Sequence, residues 1–185
     1  MGCVASRVGP GLVAPVGRGN PVILLRADMD ALLMEEESGL PFASLNPGKA
    51  HCCGHDIHTA MLLGAARMLK ENEDSLKGTV KLMFQPGEET GNGALAMIEA
   101  GVLEHPKPYA AVAFHVDAAL PLGRLNYSVG PTFCSNDVFT IRVWGKSGHG
   151  ARPHQAVDAI NASAHIVTGL ETLIAREAVP TETCM

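Results

Sequence analysis

The chain has 185 residues, 46% of them hydrophobic and 18% charged, and its 14 Lys and Arg against 19 Asp and Glu leave a net charge of −5. This is globular composition, with room for one medium domain or for one domain and part of another. A negative balance without any Lys/Arg cluster offers no footprint for a phosphate backbone, and no window approaches the ~18 uncharged apolar residues of a membrane helix, so neither nucleic acid nor membrane is an expected partner.

The start MGCVASRVGPG lacks the apolar centre of a signal peptide, and its Met1-Gly2 fits a myristoylation start poorly because Arg7 follows Ser6. Five cysteines, Cys3, Cys52, Cys53, Cys134 and Cys184, form an odd set with one adjacent pair. That pattern argues against a secreted disulfide framework and for a cytoplasmic protein. Aromatic content of 4% with eight Met suggests helix-on-sheet packing, and the class leans α/β.

In chain order, the apolar run Val22-Ile23-Leu24-Leu25 predicts a strand buried on both faces, ending at Arg26-Ala27-Asp28-Met29-Asp30. A polar stretch follows from Glu35 to Ala50. Residues 56–70, dense in Ala, Leu and Met, predict a largely buried helix with Asp56 as its N-cap. Thr79 to Phe84 reads as a second strand broken by Pro86-Gly87, and Gly93 to Ala100 as a helix stopped at Gly101. Ala110 to Phe114 is a third buried strand, followed by His115, so three strands are expected before residue 116.

Asp28 and Asp30, Glu88 and Glu89, and His115 all fall just beyond the C-terminal ends of these strands. In open α/β sheets that edge is where ligands bind. Further on, Val138 to Trp144 alternates as a half-covered strand should, GKSGHGARPH is a loop, and residues 153–176 hold an amphipathic helix. A domain boundary is expected near residue 134, giving an α/β domain over 1–134 and the start of an α+β unit over 135–185. No internal repeat is present.

His51-Cys52-Cys53-Gly54-His55-Asp56-Ile57-His58 packs three imidazoles, two thiols and a carboxylate into eight residues, for which a divalent transition metal is the economical explanation. Cys53 and His55 can converge on one ion in a tight turn at the start of the helix, whose dipole is expected to favour a thiolate. A polar loop with a buried thiol is the plainer alternative. Adjacent Cys52-Cys53 is not the spacing of a thioredoxin-like site, and a disulfide between them would close a strained ring.

Glu88-Glu89 sits immediately after a strand. Paired acids divide labour well, one as a metal ligand and the other taking a proton from water and delivering it to a leaving amine, although such a pair alone is often a solvated loop. His115 ends an apolar strand, where a lone histidine is commonly a packed or surface residue, but its position on the ligand edge favours a ligand. His149, in Ser147-Gly148-His149-Gly150, is presented by a glycine loop that can carry an imidazole to a substrate carbonyl, or is an exposed residue of a turn. His51, His58, His105 and His165 are read as structural or surface residues.

With RADMDAL, HCCGHDIHTAMLLGAA, FQPGEE, AFHV and GKSGHGARPHQAVDAI in order, the chain resembles the metal-dependent aminoacylase and carboxypeptidase superfamily, in the branch of hippurate hydrolases and plant indole-acetyl-amino-acid amidohydrolases. The resemblance runs from about residue 11 onwards. It implies a catalytic α/β domain with a mostly parallel sheet and a centre for up to two divalent metal ions, Zn, Mn, Co or Ni, interrupted by a smaller α+β lid that often forms a homodimer contact. It implies Cys53, His55, Glu89 and His115 as metal ligands, Glu88 as general base, His149 on the substrate's carbonyl oxygen, and Asp28 and Asp30 as residues orienting the ligands.

Leu33 stands where the family usually has proline, and Cys52 where a small residue is common. A further histidine ligand of the family follows the lid, so this stretch is expected to be internal to a longer protein, with an undercoordinated metal, exposed apolar surface and negligible turnover by itself. The expected activity of the extended protein is hydrolysis of the amide of N-acyl amino acids. The alternatives are a metal-binding or dimerising module without turnover and, less favoured, a thiol redox protein.

Overall fold

A computed structural model describes residues 2–130, 132 and 137–177. The chain divides into two compact units, residues 1–121 and 122–185. The boundary expected near residue 134 lies outside the described residues, as do Cys134 and Cys184.

The first unit is built on one sheet. Its strands are β1 (Ser6–Val8), β2 (Gly11–Gly17), β3 (Val22–Asp28), β4 (Thr79–Gln85) and β5 (Ala110–Ala113), in the spatial order β1-β2-β4-β3-β5. β3 lies parallel to β4 and to β5, while β2 runs antiparallel to β4 and β1 antiparallel to β2. The α/β class and the three expected strands are therefore present, with two more ahead of them, but β5 is exposed rather than buried because it is an edge strand of the sheet.

Those two correct the expected count of three. In β2 the buried Val13, Ala14 and Val16 are interrupted by Pro15, a residue that argues against a strand read from sequence. β1 reaches only as far as Val13 on β2, so Pro15 sits where the outer side of β2 carries no ladder to break.

Apolar layers cover both faces of the sheet's centre, β2, β4 and β3, which is why β3 and β4 read as nearly continuous apolar runs. On one face, helix α1 (His55–Glu71) packs Leu62 and Ala66 against Ala14, Val16, Ala27 and Leu82. On the other, Met97 of the short helix α2 (Gly93–Glu99) packs with Val13, Leu24, Met83 and Val102. Lys81 of β4 is buried on this second side, its Nζ donating to the carbonyls of Val102 and Glu104, both at 2.6 Å, and of Pro106 at 3.1 Å. Desolvation holds that ammonium below the usual lysine range.

The N-cap of α1 is Gly54, in the left-handed conformation at φ 82°, not Asp56. The chain must turn sharply out of the Cys52-Cys53 loop, and glycine reaches that region without a Cβ penalty. Asp56 lies in the first turn, where its charge still complements the helix dipole.

In the second unit, helix α3 (Ala159–Arg176) is capped by Asp158, whose Oδ1 accepts from the backbone N–H of Ile160 at 2.9 Å and Asn161 at 3.0 Å. The strand expected over Val138–Trp144 does not form among the described residues; the nearest pairing is an isolated bridge between Lys146 and Val157. Alternation alone does not hold a strand. It needs a neighbour to take its hydrogen bonds, and here Val138, Phe139 and Trp144 stand largely exposed. No helix among the described residues is long and apolar enough to cross a membrane.

Candidate metal centre

The C-terminal ends of β3, β4 and β5 and the N-terminus of α1 meet at one edge of the sheet, and their polar residues converge there. Asp28, the last residue of β3, is buried between two cations or donors. Its Oδ1 accepts from His58 Nδ1 at 2.6 Å, and its Oδ2 lies 2.8 Å from the Arg26 guanidinium, which also donates to Gln85 at 2.9 Å. Asp28 is thus held on both oxygens before it meets any ligand.

Asp30 grips the loop after β4. Its Oδ1 accepts the Glu88 backbone N–H at 2.9 Å and its Oδ2 the Glu89 N–H at 3.1 Å. Burial alone would raise this carboxyl, but the Glu88 and Glu89 amides, with Asp30's own backbone N–H and the nearby His55, together hold Asp30 below the usual carboxylate range. The same loop is pressed against α2 at Gly93, where a Cβ would stand 1.7 Å from the Pro86 carbonyl oxygen. Only glycine fits there.

His55, the first residue of α1, is 1% exposed. Its Nδ1 donates to the Asp30 backbone carbonyl at 2.9 Å, which leaves Nε2 with a lone pair and no hydrogen-bond partner. Around that atom stand Glu89 Oε1 at 3.7 Å, Asp28 Oδ2 at 3.8 Å and Glu88 Oε2 at 3.9 Å. Nearby, Cys53 Sγ lies 3.4 Å from His115 Nε2, while His115 Nδ1 donates to the Val116 carbonyl at 2.7 Å.

One donor atom from each of Cys53, His55 and His115, or of His55, Glu88 and Glu89, lies within 4.8 Å of the others. A buried imidazole lone pair facing several anionic oxygens is costly unless something positive satisfies it. A thiol, imidazoles and carboxylates are the donor types that divalent transition metals take, so the residues fit such an ion. Burial and the Glu89 and Glu88 carboxylates push the Cys53 thiol up. Without a cation this runs against the expected thiolate, desolvation being the first cause and the carboxylates the second; a bound cation supplies the opposite charge and deprotonates a coordinating thiol.

Seven of the eight residues singled out from sequence, Asp28, Asp30, Cys53, His55, Glu88, Glu89 and His115, are thus gathered at this edge. His149 belongs to the second unit, where its Nδ1 accepts from the Ala151 N–H at 3.1 Å within a turn closed by Arg152 N–H to His149 carbonyl at 2.7 Å. His58, read from sequence as a structural or surface residue, is structural: it is buried in the middle of the cluster. The signal for it is its spacing, three residues after His55 on one helix face. Asp28, His55 and His58 also lie within metal-binding reach of one another, but both ring nitrogens of His58 are engaged, Nε2 by the Val116 N–H at 2.9 Å.

Residues 24–183 match the model of peptidase family M20/M25/M40. The chain belongs to this family. Among M20-type relatives, it is 47% identical over 171 residues to IAA-amino acid hydrolase ILR1-like 4 of Arabidopsis thaliana, covering 92% of this chain and 38% of that protein. It is 43% identical over 162 residues to an N-acyl-L-amino acid amidohydrolase of Geobacillus stearothermophilus, covering 87% of this chain and 43% of the relative. In structure it resembles the Bacillus subtilis YXEP protein, a dinuclear metal binding peptidase from the M20 family, with a TM-score of 0.61 and 42% identity over 65% of this chain and 35% of that one. The chain spans about two fifths of the length of these curated relatives.

Proposed function

We propose that this M20 chain is part of a metal-dependent amidohydrolase that cleaves the amide of N-acyl amino acids. The observation that carries the reading is His55 Nε2, buried, unpartnered and ringed by the oxygens of Asp28, Glu88 and Glu89 beside the Cys53–His115 pair. The named activities of the Arabidopsis and Geobacillus relatives, and the dinuclear site named for the Bacillus protein, support it.

Cys53, His55, Glu89 and His115 would hold up to two divalent cations, zinc, manganese, cobalt or nickel. Bound there, the metal supplies Lewis acidity towards the scissile carbonyl and towards water. Glu88 is the general base: its backbone is fixed by Asp30 and its side chain is the more exposed of the pair, so it can take a proton from the attacking water and return it to the departing amine. Asp30 and Asp28 orient this machinery, Asp30 through the loop and His55, Asp28 through His58 and Arg26. His149 is assigned to the substrate's carbonyl oxygen by family resemblance. Residues 1–134 are read as part of the catalytic domain and 135–185 as the start of a lid that also serves as a homodimer contact, in a cytoplasmic protein.

The test pairs two substitutions in the full-length gene product, assayed for metal content and for hydrolysis of a panel of N-acyl amino acids. Glu88→Gln keeps shape and removes the basic oxygen, so metal stays and turnover falls by about two to four powers of ten. Glu89→Gln releases metal. The assignment is wrong if Glu88→Gln strips metal while leaving the rate intact, and a metal-binding module without turnover is the correct reading if the loaded wild type hydrolyses no substrate.

A further inference from the structure

Val116, the second residue beyond Phe114, is locked to the cluster on three sides. Its N–H donates to His58 Nε2 at 2.9 Å, and its carbonyl accepts from His115 Nδ1 at 2.7 Å. Its side chain closes over Gly54, where a Cβ would stand 2.4 Å from Val116 Cγ2. His58 is itself fixed at its other nitrogen. Because a backbone N–H can only donate, Nε2 of His58 must accept, and the ring's proton sits on Nδ1, facing Asp28 Oδ1 at 2.6 Å. The His58 ring also stands edge-on to that of His115, with centroids 4.7 Å apart.

We propose that His58 is a positioning residue for the metal centre, setting the ring of His115 through the peptide of Val116. The proposal rests on the reading of His115 and Cys53 as metal ligands. His58 touches no reacting atom. It transmits the position of Asp28, and so of the end of β3, to the segment leaving β5.

The chain of contacts works as follows. Asp28, pinned by Arg26, fixes the His58 ring; the ring takes the Val116 N–H and so sets the orientation of the Val116 peptide; the carbonyl next along the backbone takes the His115 Nδ1 proton. That last bond leaves Nε2 as the atom of His115 turned to Cys53 Sγ at 3.4 Å. An imidazole whose second nitrogen is fixed in this way presents the correct lone pair in the correct direction, and loss of such support generally costs about 10–100-fold in metal affinity or activity.

The two halves of the His58 contact can be separated chemically. In His58→Asn the amide can still donate to Asp28 but is too short to accept from Val116. In His58→Gln the amide oxygen reaches the Nε2 position and can accept from Val116, while the bond to Asp28 is lost. Cobalt(II) alone is the probe, titrated into apo wild type, His58→Asn, His58→Gln and His115→Ala, with the Cys53 thiolate-to-cobalt band and the ligand-field bands followed by absorption and the apo Tm measured for each.

The expected result is that His115→Ala and His58→Asn both bind cobalt about 10–100-fold more weakly with altered ligand-field bands. His58→Gln, lowered in apo Tm because Asp28 Oδ1 is left unpaired and buried, keeps an affinity and a spectrum closer to wild type than His58→Asn does. Wild-type affinity and spectrum in His58→Asn, with His115→Ala impaired, overturns the positioning role. So do affinities that simply follow Tm in both His58 variants. Unchanged binding in His115→Ala removes the ligand assignment itself, and the inference with it.

Discussion

The backbone carbonyl of Asp30 accepts the Nδ1 proton of His55 at 2.9 Å, while the two oxygens of the same residue's carboxylate accept the N–H groups of Glu88 and Glu89. One residue thereby sets the imidazole and the acid pair that face each other across less than 4 Å. Asp30→Asn tests this arrangement. The amide retains one acceptor oxygen and turns an NH₂ group towards a backbone N–H, so the Glu88-Glu89 loop loses half of its anchor. The expected outcome is a drop of about 10–100-fold in turnover by the full-length protein. The Cys53–His115 pair, untouched by the change, still captures cobalt with its thiolate band. Steady-state kinetics beside a cobalt titration measure both.

Asp30 was legible from sequence as an acid at a strand exit, but its partners were not, because both lie 58 or 59 residues away on another strand's exit. β3 and β4 are readable because buried parallel strands are nearly continuous apolar runs, and β5 reads the same way from its apolar residues although it lies exposed. β2 was hidden by Pro15, whose tolerance depends on where β1 stops. Over Val138–Trp144 the opposite happened: the local pattern was right for a strand and no neighbour is present among the described residues to pair with it. The partners of His58 are hidden from sequence for the same non-local reason, since its bonds to Asp28 and Val116 span 30 and 58 residues. Polar side-chain preferences point to Asp56 as the cap, whereas the left-handed φ that makes Gly54 the cap is a matter of chain direction.

The adjacent cysteines provide a direct test of the ligand assignment. Cys53 Sγ faces His115, whereas Cys52 is exposed and in none of the donor groups. Cys53→Ser and His55→Ala should each lower bound metal much more than Cys52→Ser, because only the first two remove a donor atom. Metal content per chain after dialysis against trace zinc, measured by elemental analysis, decides the matter. Equal content in all three variants would refute the assignment.

Lys81 gives a pH signature on the other side of the sheet. Its pKa is lowered in the folded state by desolvation, so between that value and the usual lysine range the unfolded chain binds more protons than the folded one. The cost of burying the charge is fully present below the folded pKa and is relieved as pH rises through it. Wild type should therefore gain stability relative to Lys81→Met as pH is raised from neutral towards the usual lysine value. At neutral pH the substitution leaves the carbonyls of Val102, Glu104 and Pro106 without their donor, for about 1–3 kcal/mol of destabilisation. Urea unfolding of both proteins across that range reads the trend, and a difference that shrinks with rising pH contradicts it.

Gly54 concentrates two demands in one position. Its φ of 82° is a conformation that costs an L-residue about 1–2 kcal/mol, and an added Cβ would meet Val116 Cγ2 at 2.4 Å. Gly54→Ala must therefore either strain the turn between Cys53 and His55 or push Val116 away from it, and overpacking of this kind costs a further ~1–3 kcal/mol. If the turn yields, Cys53 and His55 lose their common focus; if Val116 yields, its bonds to His58 and His115 lengthen. Both routes weaken metal binding as well as stability. The expected outcome is a lower urea midpoint in the apo protein together with weaker cobalt binding. A Gly54→Ala protein that unfolds at the wild-type midpoint and holds cobalt as tightly would show that neither the left-handed turn nor the Val116 contact constrains the centre.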